Sequence, residues 1–328
     1  MIKNQWYVVL RSSELKQGKP IGVTRMGEKM VFWRDSSGKP VCQVDFCPHR
    51  GVMLSLGALK GDNIQCPFHG FEYDSTGRCT LVPANGVAAL VPQALKVVTY
   101  TAREAHGYIY IWWGEPRQTY PGLPWFDELD EGFSTAEFSD HWKVDYSRAI
   151  ENQLDPFHLP YVHKTTIGRG NRTICNGPYT VTDEDSLQIW VFNQSDDGKS
   201  VARRASELSK PERPPFLVFQ FPHLWMNRIT DDIRLSVFFT PVDDENCILY
   251  VRSHQRFLKV PILRNLVTWF FNPANRVIVN QDKRVVLSQR PVKSGLRIGE
   301  KLIPADNPII EYRSMREKLQ KATGQKTD

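Results

Sequence analysis

The segment CPHRGVMLSLGALKGDNIQCPFHG, from Cys47 to Gly70, contains two short pieces of nearly the same composition, CPHRG and CPFHG. Each piece combines a cysteine, a proline and a histidine and ends in glycine. Proline, histidine and glycine fill a hydrophobic core poorly, so packing does not explain why the pattern occurs twice. The pattern predicts two facing loops that hold a metal group through four ligands, Cys47, His49, Cys66 and His69.

Two kinds of metal group fit this set of ligands. Zinc binds two cysteines and two histidines in a tetrahedron. A [2Fe–2S] cluster with Cys47 and Cys66 on one iron and His49 and His69 on the other is a Rieske centre. Structural zinc sites usually take ligands from a CxxC knuckle, which is absent here, so the spacing favours the cluster.

The bulk composition excludes some classes of function. The chain has 328 residues, of which 41% are apolar and 24% charged, as in a soluble globular protein. A formal charge of +6 without a run of lysine and arginine gives little support for nucleic-acid binding. The sequence contains no stretch of about 18 apolar residues, so it predicts no membrane span. The N-terminus lacks the apolar region of a signal peptide. We therefore expect reduced cysteines, a cytoplasmic protein, and no nucleic-acid or membrane partner.

The pattern of secondary structure changes once along the chain. Short β-rich runs and turns fill the first third, with hairpins predicted across DSSGK and STG. A linker rich in proline and glycine follows, and then helical and strand-like segments alternate. We expect an α+β protein with an all-β domain over residues 1–115 and an α+β domain with an antiparallel sheet over residues 116–328. Two late helices are predicted near Val267–Gln289 and Ile309–Lys321.

A second group of candidate ligands lies in ENQLDPFHLPYVHK, which contains Asp155-x2-His158-x4-His163. Its apolar residues predict a helix with Ile150, Leu154, Phe157 and Tyr161 on one face, which Pro160 should bend or end. Two histidines with a carboxylate from elsewhere form the facial triad of non-haem Fe(II) oxygenases, which leaves positions open for O2. The pair therefore predicts a mononuclear iron site at His158 and His163.

The third ligand is predicted to be Asp282. In ANRVIVNQDKRVVLSQRP this residue shares a helical face with Ile278, Val285, Val286 and Gln289. An ionised carboxylate on an apolar face must bind a metal or pair with a cation such as an arginine. The remaining carboxylates considered lie at turn-like places where solvated side chains are expected: Asp231, Asp232, Asp243, Asp244 and Glu245.

CPHRG followed by CPFHG in a β-rich domain resembles the Rieske domain of ring-hydroxylating and demethylating oxygenases, over roughly residues 5–115. The cysteines Cys42 and Cys79 lie outside the places where the respiratory Rieske proteins carry a bracing disulfide. The segment NQDKRVVLSQRP also resembles the C-terminal helix that carries the Asp ligand in these oxygenases. The resemblance implies a catalytic domain of the helix-grip type.

The same resemblance implies roles for two further residues and an assembly. Asp155 matches a carboxylate that hydrogen-bonds a cluster histidine, here corresponding to His69, of a neighbouring subunit. Such a head-to-tail contact closes into a ring, and the family usually forms trimers. Asn152 is expected to line the iron site.

The function implied is the oxygenase component of a Rieske non-haem iron monooxygenase system. In length the chain is similar to the vanillate and dicamba demethylases and the saxitoxin-pathway hydroxylases. Such an enzyme uses O2 to hydroxylate or oxidatively demethylate a small organic, aromatic or cyclic substrate. The chain has no GxGxxG dinucleotide fingerprint, so electrons are expected from a separate reductase or ferredoxin. The alternatives are a cis-dihydroxylating dioxygenase and a Rieske electron carrier without oxygenase activity.

The sequence does not identify the substrate. Candidates for an apolar wall are Phe219, Phe221, Trp225 and Phe238, although side chains at strand spacing more often belong to a core. The polar segment GKSVARRASELSKPERPP is a candidate lid, in which Arg203 and Arg204 are available to an anionic substrate, although a solvated loop is the simpler interpretation.

Overall fold

The chain divides into two compact units, each described by itself below. The computed structural model describes residues 1–130, 132–258 and 261–325, and for residues 261–271 it describes the backbone only. The N-terminal unit is Lys3–Leu123, and the C-terminal unit is Pro124–Asp328 together with Met1–Ile2. Among the described residues, no helix is both long and apolar enough to cross a bilayer.

The N-terminal unit continues past the boundary that the sequence predicted after Glu115. Tyr120 packs its ring against Trp6 and Trp112, with centroids 5.4 and 5.2 Å away. The indole Nε1 of Trp6 also donates a hydrogen bond of 3.0 Å to the carbonyl of Pro121. These aromatic contacts keep the proline-rich segment on the first unit.

The N-terminal unit consists of three small antiparallel sheets, with strand orders β1-β11-β10, β2-β3-β4-β9 and β5-β6-β7-β8. The hairpins predicted across DSSGK and STG are confirmed, as β3–β4 and β7–β8. The strands are β1 Gln5–Arg11, β2 Ile21–Arg25, β3 Glu28–Arg34, β4 Pro40–Val44, β5 Ala58–Lys60, β6 Asn63–Gln65, β7 Glu72–Tyr73, β8 Cys79–Leu81, β9 Thr99–Tyr100, β10 Ala102–Ala105 and β11 Tyr108–Trp113.

The C-terminal unit is built on one antiparallel sheet of seven strands with helices beside it, so the predicted α+β class is confirmed. The strand order is β12-β18-β17-β16-β15-β14-β13. The elements are β12 Ser134–Trp142, α1 Tyr146–Leu154, α2 Leu159–Val162, β13 Thr173–Thr182, β14 Ser186–Ser195, β15 Leu217–Gln220, β16 Leu224–Thr230, β17 Ile233–Pro241, β18 Cys247–Gln255, α3 Pro261–Val286 and α4 Asn307–Ala322.

One core joins the sheet of this unit to α1, α3 and α4. Ile150 of α1, Val279 of α3 and Tyr312 of α4 all belong to the same buried cluster as the inward side chains of the strands. Helix α3 is tied to the sheet by polar contacts as well: Asn275 Nδ2 donates to Ser253 Oγ at 2.7 Å. The two late helices that the sequence predicted are thus confirmed, with α3 ending at Val286 rather than Gln289.

Helix α1 ends earlier than the sequence predicted. Ile150 and Leu154 are buried as expected, but the helix stops at Leu154, and Asp155 has an extended backbone with ψ 112°. The residue before a proline avoids the helical conformation, so Pro156 ends the helix and not Pro160. Tyr161 consequently lies outside the predicted apolar face and is 68% exposed.

A buried network of charges fixes α1 against α4. Glu151 accepts hydrogen bonds from Arg313 at 2.7 and 2.9 Å and from Arg148 at 3.1 Å. Glu300 joins both arginines, at 2.8 Å from Arg148 and 2.6 Å from Arg313. Because the side chains of Glu151 and Arg313 are only 4% and 2% exposed, each charge depends on its partners.

We expect Glu151→Gln to lower the free energy of unfolding by about 3–5 kcal/mol, because two buried guanidinium groups lose the more deeply buried of the two carboxylates that they share. The control is Asp232→Asn, which removes the exposed pair with Arg256 and should cost about 0–1 kcal/mol. Urea unfolding of both variants measures the difference. Equal losses in the two variants would contradict a stabilising role for the buried network.

Candidate metal centres

The two Cys/His pieces form matching loops in the N-terminal unit. In the first loop the Gly51 N–H donates to the carbonyl of Cys47 at 2.8 Å, and in the second the Gly70 N–H donates to Cys66 at 3.1 Å. Both glycines have positive φ, 72° and 73°, which side-chain-bearing residues rarely adopt. The repeat in the sequence therefore encodes a repeat in backbone geometry.

The loops bring the four candidate ligands together with different exposure. Cys47 and Cys66 are each 2% exposed, whereas His49 and His69 are exposed, with ring centroids 4.8 Å apart. Phe71 stacks on His49 at 4.6 Å and orients that ring. The arrangement has two buried sulfur donors on one side and two accessible imidazoles on the other, which fits a cluster of two unlike irons.

The sulfur side has its own hydrogen-bond donor, which the sequence did not predict. Tyr73 Oη lies 3.2 Å from Cys47 Sγ. Burial, together with the contact to Cys47, raises the pKa of Tyr73, so the hydroxyl keeps its proton and donates to the sulfur. Burial also raises the pKa of Cys66. All six cysteines are free, including Cys42 and Cys79, so no disulfide braces the loops.

The break after α1 brings the second group of ligands together. His158 and His163 stand at the two ends of the short helix α2, with ring centroids 5.3 Å apart. Asp282, from α3, places Oδ1 3.0 Å from His163 Nε2 and 3.4 Å from His158 Nε2. One ligand atom from each of the three residues lies within 4.8 Å of the others, so the group can hold a metal ion.

The carboxylate of Asp282 is the most demanding part of this group. Asp282 is 2% exposed, and among the described residues no arginine pairs with it. Its Oδ1 is buried without a hydrogen-bond partner in the described structure, as is Nδ1 of His158. Such an orphaned anionic oxygen between two imidazoles fits a bound cation.

Ionisation in the metal-free state follows from these contacts. Burial alone would raise the pKa of Asp282, but the adjacent imidazoles of His158 and His163 outweigh it and lower the pKa to about 2. Burial alone would lower the pKa of His158, but Asp155 and Asp282 outweigh it and raise the pKa to about 9. A proton on the imidazole therefore balances the carboxylate, and a divalent cation that binds here displaces that proton.

Two glutamines that the sequence analysis overlooked support the triad. Gln153 Nε2 donates to Asp282 Oδ2 at 3.2 Å, and Gln281 Oε1 lies 2.8 Å from His163 Nδ1. Gln281 is itself held by Thr166, which donates to its Oε1 at 2.9 Å, and by Thr165 at 3.1 Å from its Nε2. The only signal in the sequence was the position of Gln281 directly before Asp282.

Asp155 and Asn152 have different outcomes. Asp155 lies at the triad, with Oδ2 3.7 Å from His158 Nδ1, while its Oδ1 caps the Phe157 N–H at 2.9 Å. Asn152, predicted to line the site, is not among the residues that line the adjoining cavity. Gln153 occupies that place instead, because α1 presents the next residue to Asp282 before Pro156 ends the helix.

The alternative carboxylates stay in their turns. Asp232 pairs with Arg256 at 3.2 Å, and Asp243 accepts the Glu245 N–H at 2.9 Å. Asp244 and Asp231 are exposed. Among the described residues, His158, His163 and Asp282 form the group whose ligand atoms lie close enough together for a single metal ion, as distinct from a cluster.

A cavity of about 480 Å³ adjoins the triad. It lies on one face of the sheet, where alternate residues of each strand point the same way. The apolar lining includes Leu217, Trp225, Val237 and Val251. A volume of this size accommodates a small organic molecule.

The predicted wall and lid need correction. Of the four aromatic candidates only Trp225 lines this cavity; Phe219 and Phe221 pack against Tyr312 in the core, at 5.4 and 5.7 Å. Phe238 points to the opposite face of the sheet and stacks on Trp125 at 6.3 Å.

The two arginines predicted in the candidate lid also lie away from the cavity. Arg203 and Arg204 are exposed and do not line the cavity, whereas Arg213, from the same segment, does. The residues around Arg213 read Pro-Glu-Arg-Pro-Pro, and this rigid run was the overlooked signal.

Two family models match the chain. Residues 5–99 match the Rieske [2Fe-2S] domain, and residues 142–322, more than half of the chain, match the Vanillate O-demethylase oxygenase C-terminal domain. Among solved structures, dicamba monooxygenase bound to dicamba has a TM-score of 0.76 at 21% identity, with 99% of both chains covered. At that identity the likeness shows the fold.

Several curated proteins are similar in sequence. Protein TIC 55, chloroplastic, of Arabidopsis thaliana is 30% identical over 96% of this chain and 59% of its own length. The oxygenase component of dicamba O-demethylase from Stenotrophomonas maltophilia is 33% identical over 50% of this chain and 48% of its own. The vanillate O-demethylase oxygenase subunit of Pseudomonas sp. (strain HR199 / DSM 7063) is 32% identical over 51% and 46%. The chain thus spans less than two thirds of the length of these relatives.

We expect the triad to bind one divalent ion, because it offers two imidazole nitrogens and a buried carboxylate oxygen within 4.8 Å of one another. Titration of metal-depleted protein with Co²⁺, followed by visible absorption, measures the affinity. His163→Ala should weaken binding at least about tenfold, since a ligand nitrogen is lost. His141→Ala, which changes an exposed histidine of β12, is the control. Equal affinities in the two variants would exclude His163 as a ligand.

Proposed function

Because the chain belongs to the Rieske non-haem iron oxygenases with a C-terminal domain of the vanillate O-demethylase type, we propose that it is the oxygenase component of a monooxygenase system. It hydroxylates or oxidatively demethylates a small organic substrate in the cavity of the C-terminal unit. The observation that carries this proposal is the triad of two imidazoles and a buried carboxylate beside an apolar cavity.

The ligands are assigned by chemistry and position. Cys47, His49, Cys66 and His69 hold the [2Fe–2S] cluster of the Rieske domain; His158, His163 and Asp282 hold Fe(II). When bound, the cluster supplies single electrons and the iron activates O2. Three protein ligands leave coordination positions open, and the cavity places the substrate beside them.

The overall reaction balances with two electrons and two protons from outside. One oxygen atom of O2 enters a C–H bond of the substrate, and the other leaves as water. At a methoxy or N-methyl carbon, the hydroxylated product breaks down with loss of formaldehyde. The chain lacks a dinucleotide fingerprint, so the electrons come from a reductase or ferredoxin partner.

The residues of the cavity control where this chemistry occurs. Trp225, Val237 and Val251 exclude water from the substrate and hold it by its apolar surface. Asp155, with Oδ2 3.7 Å from His158 Nδ1, takes or holds the proton of that imidazole.

We further propose a homotrimer in which Asp155 hydrogen-bonds the partner subunit's His69. Two observations support this contact: the Asp155 side chain is 20% exposed beside His158, and His69 of the N-terminal unit is exposed. A carboxylate between two imidazoles would join the two metal sites through hydrogen bonds. The assembly is otherwise supported by family resemblance alone.

The free cysteines are consistent with the cytoplasm that the sequence predicted, but similar proteins include chloroplastic ones. We keep the cytoplasm as a proposal, tested by fractionation of the native source.

The oxygenase proposal predicts about three irons and two sulfides per chain, together with a Rieske EPR signal after reduction. Turnover under ¹⁸O2 with an electron donor should place one labelled atom in the product. Two labelled atoms would establish cis-dihydroxylation instead. Two irons per chain with no O2 consumption would leave an electron carrier, and zinc in place of iron would exclude the cluster.

We expect Asp155→Ala to retain both metals but to slow electron transfer, because the hydrogen bond between the two metal sites is lost. Single-turnover oxidation of the pre-reduced cluster, with substrate and O2, measures the rate, which should fall at least about tenfold. Asp155→Asn preserves the cap on the Phe157 N–H and separates this effect from local unfolding. A normal rate in both variants would rule out the proposed route.

A further inference from the structure

The cavity beside the triad has one feature that its apolar lining does not explain. Among the described residues that line it, Arg213 is the only arginine or lysine. Arg213 is exposed, whereas Leu217 and Trp225 are buried, so the guanidinium marks the open side. A cation at the rim of an apolar cavity selects for the charge of whatever enters.

Both the backbone and the side chain of Arg213 are fixed on β14. The Trp190 Nε1 donates to the Arg213 carbonyl at 2.7 Å, and Arg213 Nη2 donates to the carbonyl of Val191 at 2.9 Å. The guanidinium also lies 5.1 Å from the ring centre of Phe192. Pro214 restricts Arg213 to an extended backbone. The charge is therefore held in place before any ligand arrives.

No carboxylate in the described part of the chain neutralises this charge. In the described part of the chain, the contacts of Arg213 are with Val191, Phe192 and Trp190. The two carboxylates that line the cavity, Asp155 and Asp282, lie within 3.7 Å of His158 at the triad. By contrast, Arg228 and Arg252 of the same unit each pair with a glutamate.

We propose that the substrate carries an oxyanion, a carboxylate or a sulfonate, which Arg213 binds while the apolar body lies on the sheet face and the reacting carbon faces the triad. This rests on the proposed function and names its substrate class. A planar guanidinium presents paired N–H donors to such a group, with one nitrogen already used by Val191.

The test is a panel of matched pairs that differ only in charge: benzoate with benzamide, 4-methoxybenzoate with 4-methoxybenzamide, and toluene-4-sulfonate with toluene-4-sulfonamide. Binding to the iron-loaded, reduced protein is measured by calorimetry without O2, so no turnover is needed. At least one anion should bind about tenfold more tightly than its neutral partner. Added KCl should weaken the binding of the anion and leave the binding of its neutral partner unchanged.

Arg213→Gln should abolish this preference, and Arg213→Lys should restore part of it. Arg203→Gln, which changes an exposed arginine of the same segment outside the cavity, should preserve it. The proposal is overturned if no anion binds more tightly than its partner, or if Arg213→Gln keeps the preference. Anion preference without O2-dependent oxidation would count against the oxygenase function alone.

A separate observation assigns a positioning role to Gln281. Thr165 and Thr166 hold its amide with Oε1 towards His163 Nδ1, so that this nitrogen carries the proton and donates. The unprotonated Nε2 then faces Asp282. We infer that Gln281 fixes His163 in the tautomer that binds metal, as partners of metal-binding histidines commonly do.

This role is tested by Fe²⁺ affinity, measured by competition with a chelator. Gln281→Leu should weaken binding about 10- to 100-fold with the cluster content unchanged. Gln281→Glu keeps an acceptor for the Nδ1 proton and should retain most of the affinity. Asn280→Leu, at an exposed position of α3, is the control. Wild-type affinity in Gln281→Leu, or a loss in Gln281→Glu as large as in Gln281→Leu, would overturn the assignment.

Discussion

The buried carboxylate of Asp282 constrains the rest of the C-terminal unit. An anion that is 2% exposed is stable only beside positive charge, and the surroundings supply imidazoles rather than arginine. The helices around Asp282 meet this need for positive charge. Helix α3 carries the carboxylate on its core-facing side, and the break after α1 lets α2 place two rings against it. A bound metal ion supplies the same positive charge and, unlike a side chain, can exchange.

The stability of this arrangement lies in a different set of charges. Glu151, Arg313 and Glu300 form their ion pairs at the junction of α1 and α4, on residues separate from the triad. Because α1 leads directly into Asp155, the network holds the end of that helix, which Pro156 terminates, and so helps to position His158 before α2. The structural charges are fully paired, and the triad keeps an unpaired carboxylate oxygen. This division separates groups that hold the fold from groups that await a ligand.

The sequence predicted those features that depend on chemistry local to a motif. Cysteine and histidine beside proline and glycine indicate loops around a metal. Asp282 could be predicted as a ligand because it is a carboxylate on an apolar helical face. The sequence could not distinguish Asn152 from Gln153 as the amide beside Asp282. The rotation of α1 about its axis decides this, and successive residues of a helix point about 100° apart. Val285 was expected on the same face as Asp282 but is 38% exposed, for the same reason of helical phase. Arg213 and Tyr120 depend on tertiary contacts between segments far apart in the chain, which periodicity does not record.

The geometry of the sheet has a consequence for how such a protein diverges. The cavity takes its walls from every second residue of β14, β16, β17 and β18, while the triad comes from α2 and α3. Replacing an inward strand residue changes the shape of the cavity and leaves both the opposite face and the ligands untouched. Substitutions on the strands can therefore reshape the cavity while the three candidate metal ligands stay in place.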